Sequence, residues 1–327
     1  MEAVFLKLLN MSINASWFVL AVVILRFLLK KAPKKLRVIL WSLVGIRLVC
    51  PFRFESVLSF LPSSETIPEN ITMTPTPEIH SGIPALNTMI NPILTESFAP
   101  NPGDSANPLQ IITFIAAAVW IIGMLVMLIY TLVSYLLIRK KTNEAIKLND
   151  NIFVGDRIAT PFILGVVKPK IYLPSQMNEA DKDFVIAHEK AHLKRRDHWW
   201  KPLGFLLLCV HWFNPLVWVA FVLSAKDMEM SCDEAVLRQL GPGVRADYSQ
   251  SLLRLASGQR IISFAPLAFG EGDTKGRVMN MAKWKKPGFW AMLCAAIVCI
   301  AVLAACATNP SETTEQAETN ETTVPAT

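Results

Sequence analysis

Residues 109–138 read LQIITFIAAAVWIIGMLVMLIYTLVSYLLI, thirty residues without one charged side chain. A helix needs about 20 mostly apolar residues to cross a bilayer, so this stretch alone predicts a transmembrane helix. The whole chain of 327 residues is 52% hydrophobic and 18% charged, with a mean hydropathy of +0.38. Ordinary soluble domains are about 45–50% apolar and about 25% charged. The composition excludes a wholly soluble protein and indicates several spans with a modest soluble part.

Three further apolar stretches are candidate spans. Residues 287–306 carry no charge, and residues 5–29 carry their basic side chains near the ends, where such side chains reach the interface. Residues 38–60 form the weakest candidate because Arg47 and Arg53 interrupt them. We predict a mostly α-helical membrane protein with about four transmembrane helices.

Lysine and arginine cluster beside these stretches, within residues 30–37, 139–147 and 283–286. The cytoplasmic flanks of membrane helices carry such an excess of positive charge. All three clusters are therefore predicted to be cytoplasmic, which places residues 139–286 inside and both termini outside the cytoplasm. The net charge of +6 and the pI near 9.0 follow from these clusters, so we expect no direct nucleic-acid binding.

The remaining segments fit the same topology. Residues 51–108 contain one basic residue, six acidic residues and ten of the chain's 21 prolines, which suits an extracytoplasmic loop. The segment after residue 306 is rich in Thr and Glu and cannot form a core. The predicted organisation is a first transmembrane helix with a basic cytoplasmic loop (1–37), a second transmembrane helix (38–60), a Pro-rich extracytoplasmic loop (61–108), a third transmembrane helix (109–138), a cytoplasmic domain (139–286), a fourth transmembrane helix (287–306) and a disordered extracytoplasmic tail (307–327).

The cytoplasmic domain contains FVIAHEKAH at residues 184–192, which includes the pattern H-E-x-x-H. On a helix, His188 and His192 lie one turn apart on one face, close enough to bind one zinc ion. Glu189 is then placed to hold a metal-bound water. The alternative is a solvated helix that carries two histidines by chance.

A catalytic zinc has three protein ligands and one open position. The segment 226–234 supplies Glu229 and Asp233, which are four residues apart and share a helical face. We predict Glu229 as the third ligand and Asp233 as a carboxylate that orients a ligating histidine, and Asp197 is another candidate for that second task. Taken by itself, the segment 226–234 also fits a charged surface helix.

Residues 202–225, between the two motifs, are uncharged and mostly apolar. If this run crossed the bilayer, His188 and Glu229 would lie on opposite sides. Asn is a good N-cap and Pro is favoured at the first helical position, so Asn214 and Pro215 predict a break between two helices. We expect a re-entrant or membrane-apposed helix pair, with the second helix running over residues 215–240.

Three short runs with β-strand character precede the H-E-x-x-H motif, at residues 151–154, 162–167 and 170–173. They give the cytoplasmic domain an α+β character. An extended substrate can add to an edge strand, and the second and third runs are the candidates for this.

The motifs together resemble the membrane metallopeptidase family of the β-lactam-sensing antirepressors. The segments that carry this resemblance follow one another in the family's order: residues 160–165, 168–174, 188–197, 213–218, 227–237 and 270–278.

The resemblance implies a gluzincin-like metallopeptidase domain in which His188, His192 and Glu229 bind Zn²⁺ and Glu189 is the catalytic base. It also implies a substrate, a cytoplasmic DNA-binding repressor of the penicillinase-repressor type, and self-cleavage is a further expectation. The donor that stabilises the oxyanion stays open, with His198, His211 and Tyr172 as candidates. The best-known family members carry a penicillin-binding sensor domain after the last span, whereas about 21 residues follow Cys306 here. We therefore expect no direct β-lactam sensing by that route.

Two other functions compete with that of a signal-transducing antirepressor peptidase. One is a membrane quality-control or prenyl-protein zinc peptidase, whose motifs overlap with these. The other is a non-catalytic membrane receptor or scaffold with a structural metal site, which needs a fourth protein ligand such as Asp233 or His198.

Overall fold

A computed structural model describes residues 1–30, 32–50, 65–99, 107–257 and 273–284, the backbone of 54–55 and 308–309, and scattered residues from 288 to 301. The helices of this part are α1 (Glu2–Leu28), α2 (Lys34–Val49), α3 (Pro84–Phe98), α4 (Pro108–Thr142), α5 (Glu179–Lys194), α6 (Asp197–Val210), α7 (Pro215–Leu240), α8 (Arg245–Ser257) and α9 (Thr274–Lys283). The strands are β1 (Phe54–Glu55), β2 (Ile146–Asn149), β3 (Ile152–Gly155), β4 (Phe162–Leu164), β5 (Lys170–Pro174) and β6 (Thr308–Asn309). This described part is mostly helical, with one small four-stranded sheet and a two-residue strand pair.

Within the described residues, α1 and α4 are the helices long and apolar enough to cross a bilayer. Helix α1 has 27 residues and a best-window hydropathy of 2.0, and α4 has 35 residues and a value of 2.7. They correspond to the predicted spans at residues 5–29 and 109–138. Only 17% of the apolar window of α4 is buried inside the protein, so most of its apolar surface faces outward.

The other two predicted spans are not established. Helix α2 has 16 residues and ends at Val49, short of the roughly 20 residues that a span needs. Most of residues 51–64 and most of the predicted span at 287–306 lie outside the described residues. The four-helix count therefore stays a prediction.

The described part of the predicted extracytoplasmic loop contains a helix that the sequence pattern did not predict, α3. Pro84 occupies its first turn, where a missing N–H costs nothing, but Pro92 lies inside it. The Oδ1 atoms of Asn87 and Asn91 accept hydrogen bonds from the backbone N–H groups of Ser81 and Ile79, at 3.0 and 2.9 Å. These contacts attach α3 to the chain that precedes it.

The four-stranded sheet has the order β2-β3-β5-β4, in which β3 and β5 are parallel and both outer pairs are antiparallel. The three predicted strand regions are confirmed. Strand β2 was not predicted: its sequence IKLN alternates apolar and polar residues, but the run has only four residues, and all four are exposed. The proposal that residues 170–173 add a substrate strand is wrong, since β5 already pairs with β3 and β4. Strand β4 remains at an edge.

The predicted break between α6 and α7 is confirmed. Asn214 caps α7, because its Oδ1 accepts a hydrogen bond from the N–H of Leu216 at 2.9 Å. Its Nδ2 donates to the hydroxyls of Ser12 and Ser16 on α1, both at 2.8 Å. The chain therefore reverses at residues 211–214, and α7 returns toward α5.

Helix α7 joins two apolar clusters. Its first half packs with α1, α2 and α6, and the buried members of that cluster include Val19, Leu40, Val44, Leu208 and Val217. Its second half packs with α8 and α9 through Val236, Leu237, Tyr248 and Met281. A third cluster, Ile152, Ile171, Leu173 and Val185, fixes α5 against the sheet. The helices that carry the two sequence motifs are thereby held side by side.

Candidate metal centre

Helix α5 brings the two histidines of the H-E-x-x-H motif together. It begins after Asn178, whose Oδ1 accepts a hydrogen bond from the N–H of Ala180 at 3.1 Å. One turn apart, His188 and His192 are both buried, and their Nε2 atoms lie 3.1 Å from each other. Both rings therefore present the same nitrogen to one point.

Helix α7 brings Glu229 to that point from the opposite side. Its Oε2 lies 3.2 Å from Nε2 of His188, and its Oε1 lies 3.4 Å from Nε2 of His192. A tetrahedral zinc ion with ligand bonds of about 2.0–2.1 Å separates its ligand atoms by about 3.3 Å. The three residues that the sequence predicts as ligands thus form a buried group whose donor types and spacing fit a zinc ion.

Each histidine has a carboxylate at its other ring nitrogen. Oδ2 of Asp197 lies 2.7 Å from Nδ1 of His192, and Oδ1 of Asp233 lies 3.2 Å from Nδ1 of His188. In metal sites, such a partner fixes the tautomer and the ring orientation of a ligating histidine. Both Asp233 and Asp197 therefore lie where the sequence analysis needed an orienting carboxylate.

Tyr248 and Arg277 complete the surroundings of His188, and neither was predicted from the sequence to have a role at the site. The hydroxyl of Tyr248 donates to Oδ1 of Asp233 at 2.6 Å and lies 2.9 Å from Nδ1 of His188. A hydroxyl has a single proton, and Tyr248 donates it to Asp233. In the contact with His188, the Tyr248 oxygen is therefore the acceptor and the N–H at Nδ1 is the donor. Nε2 of His188, which faces Glu229, is then the unprotonated ring nitrogen, and its lone pair is available to bind a metal ion.

Arg277, on α9, pairs with Asp233 through two hydrogen bonds, from Nε at 2.8 Å and from Nη2 at 2.7 Å. Its Nη1 lies 3.5 Å from Oε2 of Glu229. It belongs to the segment 270–278 that carries part of the family resemblance. No local pattern shows that α9 folds back against α7, so only its place in that motif pointed to it.

Burial and neighbouring cations shift the pKa values of Asp233 and Glu229 in opposite directions. Burial favours the neutral form of Asp233, but the guanidinium of Arg277 outweighs it and holds the pKa of Asp233 well below its usual range. Burial also opposes ionisation of Glu229, whose pKa is nevertheless held well below normal by Lys201 and His192. The Nζ of Lys201 lies 3.0 Å from Oε1 of Glu229. Both acids are therefore anions at neutral pH, and Glu229 has the charge that a metal-binding carboxylate requires.

The remaining predicted site residues are placed as follows. Glu189 is buried beside His188 on α5. His211 contacts the carbonyl of Leu48 at 3.3 Å, and the ring of Tyr172 packs on aromatic neighbours in the sheet. These contacts give His211 and Tyr172 structural surroundings. The ring of His198 lies edge to face with that of Trp199, with 6.4 Å between the centroids. Two cationic side chains that were not candidates, those of Lys201 and Arg277, contact the carboxylate of Glu229.

Comparison with known proteins shows the family of the chain. A family model described as BlaR1 peptidase M56 matches residues 6–281. The regulatory protein BlaR1 of Bacillus licheniformis is 34% identical over 163 residues, which cover 43% of this chain and 27% of that protein. The methicillin resistance mecR1 protein of Staphylococcus aureus strain Mu50 is 26% identical over 166 residues, covering 44% of this chain and 28% of that protein. The aligned chain thus spans little more than a quarter of the length of these relatives.

Proposed function

Because the chain belongs to the BlaR1 peptidase M56 family, we propose that it is an integral-membrane zinc endopeptidase that transmits a signal by cleaving a cytoplasmic repressor. The observation that carries this proposal is the group of His188, His192 and Glu229, whose ligand atoms lie 3.1–3.4 Å apart in a buried site. Family membership is the basis for proposing a peptidase activity, and the donor types of these three residues are the basis for proposing zinc.

In this proposal, His188, His192 and Glu229 hold Zn²⁺. A bound zinc ion would lower the pKa of a coordinated water to about 7 and polarise the scissile carbonyl. Glu189 accepts the proton of the attacking water and delivers it to the leaving amine. Asp197 and Asp233 hold the two imidazole rings with Nε2 directed at the metal.

The arrangement favours a catalytic site over a structural one. A closed site needs a fourth protein ligand, and Asp233 and His198 were the sequence-based candidates for it. Among the described residues, His198 does not belong to the group formed by His188, His192 and Glu229. The carboxylate of Asp233 faces Nδ1 of His188 and is occupied by Arg277 and Tyr248. Asp233 therefore supports a ligand and leaves the fourth position for water or substrate.

We also propose the topology that the charge clusters predict. The peptidase domain, residues 139–286, lies on the cytoplasmic side, and its α6–α7 pair is re-entrant, since Asn214 at the turn contacts Ser12 and Ser16 in the middle of α1. The loop 61–108 and both termini lie outside. The outward apolar surface of α4 contacts lipid, and the substrate adds as an extended strand to the free edge of β4. Relatives whose names denote regulation and methicillin resistance favour a repressor of the penicillinase-repressor type as the substrate over a quality-control or prenyl-protein substrate.

The test is Glu189→Gln in cells that carry the candidate repressor. The variant removes the proton acceptor while leaving the ligands in place, so it should retain the metal and lose cleavage. The control is Glu144→Gln, an exposed residue whose side chain is 64% accessible and pairs with Arg157. Immunoblots of the repressor under inducing conditions should show loss with the wild type and with Glu144→Gln, and intact repressor with Glu189→Gln.

Clearance of the repressor at the wild-type rate by Glu189→Gln would favour the scaffold function. Cleavage of other membrane proteins by the wild type, with the repressor untouched, would favour the quality-control peptidase. A comparison of all shortened proteins between the two strains distinguishes these results.

A further inference from the structure

Helix α7 presents acidic side chains on two opposite sides. At 3.6 residues per turn, Asp227 and Glu229 are roughly 200° apart around the helix, whereas Glu234 lies roughly on the side of Asp227. Asp233 lies on the side of Glu229. One side of α7 therefore holds the metal-binding group, and the other side faces α1 and α2.

Asp227 binds both of these N-terminal helices. Its side chain is completely buried, with 0% exposure. Its Oδ2 accepts from Nε of Arg26 at 2.8 Å and from the indole Nε1 of Trp41 at 3.0 Å, and its Oδ1 lies 3.4 Å from Nη1 of Arg37. Three donors on two helices, 186 to 201 residues away along the chain, thus converge on one carboxylate.

Glu234 makes a second contact two turns further along α7. Its Oε2 accepts from the backbone N–H of Lys34, the first residue of α2, at 3.1 Å. Nη2 of Arg37 also donates to the carbonyl of Leu29 at 2.8 Å, which ties the turn between α1 and α2 to the same cluster. The turn between α1 and α2 is therefore attached to α7 directly, on the side opposite the metal-binding group.

We propose that Asp227 is a positioning residue through which α1 and α2 set the place of Glu229, and so the metal affinity of the site. This inference rests on the proposed role of Glu229 as a metal ligand. A helix is stiff over two residues, so a displacement of Asp227 moves Glu229 with it. Metal sites require ligand distances within about 0.2 Å of their ideal values, which makes even a small displacement costly.

The contacts of Asp227 provide a route by which a movement of α1 or α2 reaches the metal-binding group. A movement of α1 or α2 changes the positions of Arg26, Arg37 and Trp41, and Asp227 follows them because a buried carboxylate must keep its partners. The distance of Glu229 from the two histidines then changes, and with it the affinity of the site for Zn²⁺. No contact between α1 or α2 and the metal ligands themselves is needed.

The experiment uses the full chain in lipid nanodiscs and compares Asp227→Asn, Trp41→Phe and the double variant. Zn²⁺ affinity is measured by chelator competition, and the geometry of the site is followed by the visible absorption of bound Co²⁺. Residues that orient ligands typically change affinity about 10–100-fold, so Asp227→Asn should weaken Zn²⁺ binding about tenfold and alter the Co²⁺ spectrum. Trp41→Phe removes one N–H and keeps an aromatic ring, so its effect should be smaller and in the same direction.

The double variant tests whether the two residues act through one contact. Its affinity should be close to that of Asp227→Asn alone, because neighbours that share an interaction are not additive. Glu144→Gln is the control and should match the wild type in both measurements. If Asp227→Asn fails to fold, the affinity and spectrum of Trp41→Phe decide the question.

The inference is overturned if the folded variants keep wild-type Zn²⁺ affinity and the wild-type Co²⁺ spectrum while only their thermal stability falls. Glu229→Ala in the same assay separates this from failure of the proposed function. Loss of metal in Glu229→Ala but not in Asp227→Asn rejects the coupling alone. Retention of metal in Glu229→Ala rejects the proposed site.

Discussion

Arg277→Met is expected to destabilise the helices around the candidate metal centre. The substitution keeps an unbranched side chain and removes the guanidinium that makes two hydrogen bonds to Asp233, at 2.8 and 2.7 Å. Asp233 has 0% exposure and cannot turn to solvent, so it becomes a buried anion that has lost its positive partner.

The structure sets the size of this effect. Removing one partner of a buried ion pair costs about 3–5 kcal/mol. Because the hydroxyl of Tyr248 still donates to Asp233 at 2.6 Å, we expect the lower end, about 3 kcal/mol. At about 2–4 °C per kcal/mol for a domain of 150–250 residues, the midpoint of thermal unfolding should fall by about 6–12 °C.

The assay is thermal unfolding of the purified protein in detergent, followed by tryptophan fluorescence. Arg157→Met is the matched control, because Arg157 pairs with Glu144 at 3.1 Å and both side chains are more than 60% exposed. Exposed pairs contribute less than about 1 kcal/mol, so this control should unfold close to the wild type. If Arg277→Met also unfolds within about 2 °C of the wild type, the buried pair does not stabilise the site and the reasoning fails.

Two further predictions concern α5 and the topology. Hydrogen bonds from Arg254 hold the pKa of Asp181 below its usual range, so this pair stabilises the fold above about pH 4 and stops doing so as the pH falls through the folded-state pKa. The difference in unfolding temperature between the wild type and Asp181→Asn should therefore be complete at pH 7 and shrink below about pH 4, and a difference independent of pH would exclude the ionic contribution. Reporters fused after residues 147 and 240 should both be active in the cytoplasm, while a reporter after residue 80 should be active outside. Opposite locations for 147 and 240 would contradict a shared metal site.

The residues proposed as metal ligands could be picked out from the sequence because their signals are local. The spacing of His188 and His192 places both on one helical face, and Asn214 with Pro215 marks the start of α7 by cap chemistry that the structure reproduces. Once that break is recognised, α7 returns to α5, and Glu229 lies within reach of both histidines.

The supporting residues were not predictable because tertiary packing brings them in. Tyr248 is 60 residues from His188, and Arg277 is 44 residues from Asp233. No local spacing rule connects such pairs. From the sequence, Asp227 was likewise only one of several acidic residues in a charged segment. Its partners lie on the first two helices of the chain, which no local pattern indicates.

Metal content tests the central claim most directly. The purified full chain should hold about one zinc ion, as a catalytic site with three protein ligands does. Measured by inductively coupled plasma mass spectrometry, His188→Ala, His192→Ala and Glu229→Ala should each lose the metal, whereas Glu189→Gln and Glu144→Gln should keep it. Full retention of zinc in Glu229→Ala, or no zinc in the wild type after purification without chelators and with zinc supplied, would contradict the site.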